Sequence, residues 1–314
     1  TQEMMTLQDA LDTSWNIPAY WTYQTILKNG QSVKPYMSKM GYKVDNYQIE
    51  SLPLGGGIDP SVVQHTNGYQ ALLNGGQYEQ YYVVDSIKDS NGKEIYKHQS
   101  QPVQVFSKAT SSIMAELLKG PIKSQKTTTF YGQLSNLNPT LAGADWVGKT
   151  GTSNDFVDVW LMVGTPTVTL SSWVGHDNNT PMAAMTGYNN NSQYLAQMAN
   201  SIYQANPGVF GVEQRFSLDP SVTKSTVLVS TGEKPGAFTG GSYTNFTLSG
   251  PTTTSYWAKP EGAPTTQYKF AIGGSDSDYA NAWTKILGNN SGNNSGNNSS
   301  NNNDDADKKK QSGN

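Results

Sequence analysis

Two stretches, Asp155 to Val163 and Thr167 to Val174, are β-branched, aromatic or aliphatic on both faces that a strand presents, and only Gly164-Thr165-Pro166 separates them. Strands of that kind must be covered on both sides, so the pair reads as adjacent central strands of a sheet held between other layers. Helices have to supply those layers. Ser107, followed by Ile113, Met114, Leu117 and Leu118, reads as a capped amphipathic helix closed at Lys119-Gly120-Pro121 by a cation, a left-handed glycine and a proline. Thr6-Leu7-Gln8-Asp9 is the capping box of a short helix ending near Thr13, and Pro18 suits the first turn of a second helix that stops at Asn29-Gly30. A third helix should begin from the cap and proline Asp59-Pro60 and stop at Asn74-Gly75-Gly76. Leu195, Met198, Ala199 and Ile202 mark a last one before Asn206-Pro207-Gly208. Residues 81–88 and 93–97 flank Asp89-Ser90-Asn91-Gly92, whose Asn-Gly pair favours a tight hairpin turn. Helices combined with a sheet predict an α/β (α+β) layered fold.

The texture changes beyond Gly211. Thr226 to Val229, Tyr243 to Leu248 and Tyr268 to Ile272 are short strand-like runs among Gly, Pro, Ser and Thr, and Ser277 to Leu287 has helical spacing. Residues 289–314 repeat Asn-Asn-Ser-Gly and end in acidic residues and lysines, with almost nothing to bury. The chain therefore divides into a main domain over 1–211, a small β-rich domain over 212–288 and a disordered tail over 289–314.

Composition excludes several classes of function. Charged residues are 14% and the formal net charge is -3, which leaves no electrostatic footprint for nucleic acid or an anionic membrane surface. Cysteine is absent, so thiolate catalysis, zinc knuckles and disulfides are out. The longest uninterrupted apolar run, Val159 to Val163, is far short of the ~20 residues of a membrane helix. His65, His98 and His176 are scattered without metal-ligand spacing. The first residue is Thr1 and not an initiator methionine, from which we expect an N-terminal portion, with any membrane anchor, to lie upstream.

The chemistry concentrates where the sheet begins. Val147-Gly148-Lys149-Thr150-Gly151-Thr152-Ser153-Asn154 places a lysine and several hydroxyls between glycines at the entry to the first central strand. A cation beside hydroxyls at a strand edge suits recognition of an anion next to a nucleophile. Gly143 to Thr150 also satisfies G-x-x-x-x-G-K-[ST], the phosphate-cradling loop. That loop must follow a buried strand and open a helix, whereas polar Ser135 to Thr140 precedes it here and a β-rich run follows.

Upstream, Ser14-Trp15-Asn16 has the form S-x-N, and Lys149-Thr150-Gly151 the form K-T-G, in that order. K-T-G arises by chance in roughly 4% of chains this long, S-x-N about once per chain, so the first carries most of the weight. Together with Leu54-Gly55-Gly56-Gly57, Tyr69 to Gly76 and Asp85 to Gly92, they make residues 1–205 similar to the transpeptidase domain of class A penicillin-binding proteins. The resemblance points to the 1b protein type of Gram-positive cocci, the small C-terminal appendage included. A serine β-lactamase shares the motifs, but the 135 residues between Ser14 and Lys149 and the extra β-rich region favour a penicillin-binding protein. A non-catalytic surface module would suit residues 212–314 alone and leaves Lys149 to Asn154 without a purpose.

The resemblance implies D,D-transpeptidation of peptidoglycan stem peptides through a serine acyl-enzyme that β-lactams also form, outside the cytoplasmic membrane, without a cofactor or metal. It implies that Ser14 relays a proton, Asn16 holds the peptide backbone and Lys149 places a cation beside the serines. Thr150 and Thr152 would bind a carboxylate, Gly151 would leave room for the acyl group, and Asn154 would line the mouth or serve only as a turn residue. The family's S-x-x-K nucleophile should precede S-x-N. Ser90-Asn91-Gly92-Lys93 lies on the hairpin turn and Ser221-Val222-Thr223-Lys224 follows K-T-G, so neither qualifies. The expected partner is thus an upstream segment of the same protein that bears the serine and its lysine.

Overall fold

The computed structural model describes residues 5–184, 186–235 and 250–264. The two central strands expected from sequence are β6 (Asp158–Gly164) and β7 (Thr169–Gly175). They pair antiparallel with each other, and β5 (Val147–Thr152) pairs with β6, giving the order β5-β6-β7 with β5 at the edge. The layered α/β expectation holds.

Register divides the sheet's faces. Gly148 and Thr150 lie opposite Val163 and Leu161, whose side chains join Ile122, Phe130, Leu134, Leu141, Trp146, Leu195 and Phe210 in the main core. Helices α5 (Lys108–Ser124), α6 (Phe130–Leu137) and α8 (Thr186–Ala205) cover this face, and Asn191 of α8 donates to the Val159 carbonyl at 2.7 Å. Trp146 fills the centre, its indole N–H donating to Leu141 O at 2.9 Å and its ring meeting Phe130 edge-on. Lys149 and Gly151 lie opposite Met162 and Trp160 on the other face, which α4 (Val62–Leu73) covers through His65 against Trp160 and Thr66 against Ser171.

At the N-terminus, Thr6 caps α1 (Leu7–Asp12) by accepting from Asp9 N at 3.0 Å, and α2 (Asn16–Lys28) follows, stopping at Asn29 and left-handed Gly30 as expected. A short helix α3 (Lys34–Lys39) has no counterpart in the pattern analysis. The strand pair β1 (Gln77–Tyr78) and β4 (Val103–Gln104) brackets the hairpin of β2 (Ser86–Lys88) and β3 (Glu94–Lys97). The Asp89 carboxylate closes that turn, accepting from Asn91 N and Lys93 N at 2.9 Å each.

Three expectations need correction. The third helix begins at Val62, two residues later than expected, and is capped by Ser61, whose hydroxyl accepts from Gln64 N, and not by Asp59. Residues 154–156 form a 3-10 turn ahead of β6, so the strand begins at Asp158 and not Asp155. Helix α5 does not close at Gly120-Pro121: it runs through Pro121 to Ser124 and ends on left-handed Gln125. A proline inside a helix leaves the carbonyl four residues earlier without its N–H. Here that carbonyl, Leu117 O, accepts from Gln8 Nε2 of α1 at 2.9 Å.

Beyond the main core, Phe216 N donates to Asp145 and Asp219 N to Ser112, strapping the chain to the loop before β5 and to α5. There β8 (Val222–Leu228) pairs with β9 (Thr252–Ala258), a threonine-rich run that pattern analysis did not single out. The runs at Tyr243 to Leu248, Tyr268 to Ile272 and Ser277 to Leu287, and the tail 289–314, lie outside the described residues.

Candidate active site

Ser14 sits at the joint of α1 and α2 with φ 56°, a left-handed conformation unusual for a residue with a side chain. Its own N–H donates to Leu11 O and the next N–H, of Trp15, to Ala10 O. This is the Schellman ending of α1, with serine in the position that glycine usually fills. The cap of α2 is Trp15 and no side chain serves it, so neither the Ser14 nor the Asn16 side chain caps that helix. Both side chains are exposed.

The fold brings Lys149 to this joint across 135 residues. Its Nζ donates to Ser14 Oγ at 2.6 Å and to its neighbour's carbonyl, Thr150 O, at 2.9 Å. An ammonium has three N–H donors, and these two bonds occupy two of them. Because Ser14 Oγ accepts from Lys149, the serine's own O–H is turned elsewhere and can be passed on. Burial pushes the Lys149 ammonium from 10.5 down to about 8. None of the ion pairs among the described residues includes it. Among the described residues it is thus a half-buried cation without a carboxylate partner, on the edge strand of the sheet.

Around it, Thr150 is buried while Thr152, Ser153 and Asn154 are exposed at the end of β5. Thr150 and Thr152, two residues apart, project to one face of the strand and Lys149 and Gly151 to the other. Asn154 opens the 3-10 turn that follows β5. The strand's two glycines have different reasons. A Cβ on Gly148 would come within 2.3 Å of Met162 O, whereas one on Gly151 would meet only Trp160 Cβ at an ordinary 3.5 Å. Internal packing demands the first glycine and not the second, where a side chain would have room.

Sequence reasoning missed the anchor of this strand's end. The Asp158 carboxylate accepts from Ser153 Oγ at 3.1 Å and from Trp173 Nε1 at 2.9 Å, and Asp158 N donates back to Ser153 Oγ at 2.8 Å. The five-residue spacing of Ser153 and Asp158 across a turn carries no local signature.

The phosphate-loop alternative fails on its context. Gly143 ends a short helix, α7 (Pro139–Ala142), and Lys149 lies within a strand, so there is neither the preceding strand nor the following helix. Ser90 lies on the hairpin turn beside Gly92 at φ 82°, and Ser221 donates to Asp219 just before β8. Neither shares a helix face with its lysine. Among the described residues no group of three or more His, Asp or Glu could hold a metal, and no helix is long and apolar enough to cross a membrane.

The chain belongs to the penicillin-binding transpeptidase family: the profile described as Penicillin binding protein transpeptidase domain matches residues 1–205. Its relatives include several penicillin-binding proteins. Penicillin-binding protein 4 of Bacillus subtilis is 31% identical over 186 residues, covering 57% of this chain and 28% of that protein. Penicillin-binding protein 2a of Streptococcus pneumoniae is 25% identical over 247 residues, covering 72% of this chain and 31% of that protein. The chain thus spans less than a third of the length of either relative. The crystal structure of penicillin-binding protein 1A from Haemophilus influenzae shares the fold, with a TM-score of 0.62 at 17% identity over 84% of this chain and 41% of that one.

Proposed function

We propose that this chain supplies the S-x-N and K-T-G side of a serine D,D-transpeptidase that cross-links peptidoglycan stem peptides and is acylated by β-lactams. The observation that carries the proposal is the half-buried Lys149 ammonium, with no ion-pair partner among the described residues, donating to Ser14 at the edge strand. The substrate's terminal carboxylate would sit against Thr150 and Thr152, with Lys149 behind them supplying positive charge. Asn16 would bind the peptide backbone, Gly151 would leave space for the acyl group, and the Thr152 N–H would donate to the oxyanion.

In the reaction so inferred, a serine of an upstream segment attacks the carbonyl of the penultimate D-alanine and gives its proton to an upstream lysine. The C–N bond breaks as the Ser14 hydroxyl gives its proton to the departing amine and takes up in its place the proton held by the upstream lysine. An acceptor amine then attacks the ester and restores the serine. A β-lactam enters the same first step, and its ring amide is the bond that opens.

On this reading residues 1–211 complete a transpeptidase domain, 212–288 form a small β-rich domain, and 289–314 act as a tail. The whole protein is of the 1b type, works on the outer side of the cytoplasmic membrane, and carries a peptidoglycan glycosyltransferase domain further upstream. Labelling with a fluorescent penicillin tests the proposal. The chain alone should stay unlabelled, while the full protein, or the chain recombined with its upstream fragment, should be labelled. Labelling of the isolated chain, or full protein that never labels, would refute it.

A further inference from the structure

We propose that three successive residues of α5, Gly120, Pro121 and Ile122, together with Gln8 of α1, set the distance between Ser14 and Lys149. The proposal rests on the acyl-transfer reading above and assigns positioning roles that lie outside the S-x-N and K-T-G motifs.

The serine side is fixed by the first two. Helix α1 has six residues and buries only Ala10, so its own apolar contact is too small to seat it. Gln8 Nε2 instead donates to Leu117 O at 2.9 Å and to Asp12 Oδ1 at 2.6 Å, which uses both amide hydrogens. Leu117 O is open to Gln8 because Pro121 cannot donate to it. Proline within the helix is therefore the source of the acceptor that holds α1. Gly120 sets how near α1 comes: a Cβ there would lie 2.2 Å from both Asp12 Oδ1 and Gln8 Nε2. Ser14 follows Asp12 by two residues and its backbone N–H donates to Leu11 O of α1, so its position is inherited from this seat.

The lysine side is fixed by the third. Ile122 is fully buried against Gly148, where a Cβ would meet Ile122 Cδ1 at 2.8 Å. Gly148 immediately precedes Lys149. One stretch of helix thus touches both the element that carries the hydroxyl and the strand that carries the ammonium, and the 2.6 Å contact is the sum of the two placements.

The test uses the full protein and separates penicillin binding from the acylation rate constant by stopped-flow. Gln8→Ala should lower the rate constant roughly 10- to 100-fold, as expected when a reacting group drifts by about 1 Å, and leave binding unchanged, since Thr150 and Thr152 are untouched. The double variant Gln8→Ala, Pro121→Ala restores a helical N–H to Leu117 O. It should recover the melting temperature but not the rate, because α1 remains untethered. A wild-type rate in Gln8→Ala, a loss confined to binding, or recovery of the rate along with the melting temperature would each overturn the proposal. If Gln8→Ala does not fold, the double variant decides alone. Ser14→Ala distinguishes the two levels: a normal rate there sinks the acyl-transfer reading, whereas a slow Ser14→Ala beside a normal Gln8→Ala sinks only the positioning role.

Discussion

Replacing Lys149 with methionine gives a stability signature whose sign is fixed by the burial of its ammonium. The group titrates at about 8 in the folded chain and near 10.5 when unfolded. Between those values the unfolded chain binds more protons, so stability rises with pH across that window; below 8 both states are protonated and the penalty is constant. At 1.36 kcal/mol per unit the shift corresponds to about 3 kcal/mol. Lys149 is only half-buried and keeps a serine and a carbonyl as acceptors, so solvent screening reduces this to roughly 1–2 kcal/mol. The assay is urea denaturation of the chain and of Lys149→Met from pH 7 to 10.5. Buried Tyr42 and Tyr69, whose hydroxyls burial holds protonated, act with the opposite sign at the alkaline end but are common to both chains and cancel in the difference. The parent should gain 1–2 kcal/mol on the variant as pH rises, about the full screened shift. A flat difference curve, or one that falls with pH, would refute the reasoning.

Ser14→Gly and Ser14→Ala both delete the hydroxyl and differ only at a left-handed position, so the glycine variant should be the more stable by about 1 kcal/mol in thermal or urea melts, with acylation equally slow in both. Equal stability would mean the φ of 56° is not strained. Gly148→Ala must push a methyl toward Met162 O and should lose about 2–3 kcal/mol, whereas Gly151→Ala should leave folding within about 0.5 kcal/mol and slow acylation. Asp158→Ala removes the acceptor for Ser153 and Trp173 and should cost about 1–3 kcal/mol, with faster amide exchange at the end of β5 as the local readout.

Local signals were legible where the chain itself satisfies them. Thr6, Ser107 and Asn29-Gly30 bound helices because their partners lie within a turn, and the two central strands declared themselves through apolar residues on both faces. The end of α5 was not legible. Gly120-Pro121 is a stop by every local rule, and what keeps the helix going is a glutamine 109 residues away that takes the freed carbonyl. The site divides the same way. Lys149, Thr150, Gly151 and Thr152 stand in one strand and could be read together, while Ser14 joins them only through tertiary packing and entered through the order of two short motifs. Asp158 escaped notice because a carboxylate that anchors a turn looks like any other at a strand's start.

The central claim is that the Lys149 edge grips a carboxylate while a serine from elsewhere in the protein is acylated beside Ser14. A crystal structure of the full protein after reaction with penicillin tests this most directly. The account predicts the acyl bond on a serine upstream of Thr1, with the drug's carboxylate hydrogen-bonded to Thr150 and Thr152 and the Lys149 ammonium still on Ser14. An acyl bond on Ser90 or Ser221, or a carboxylate bound away from β5 with Lys149 turned into solvent, would contradict it.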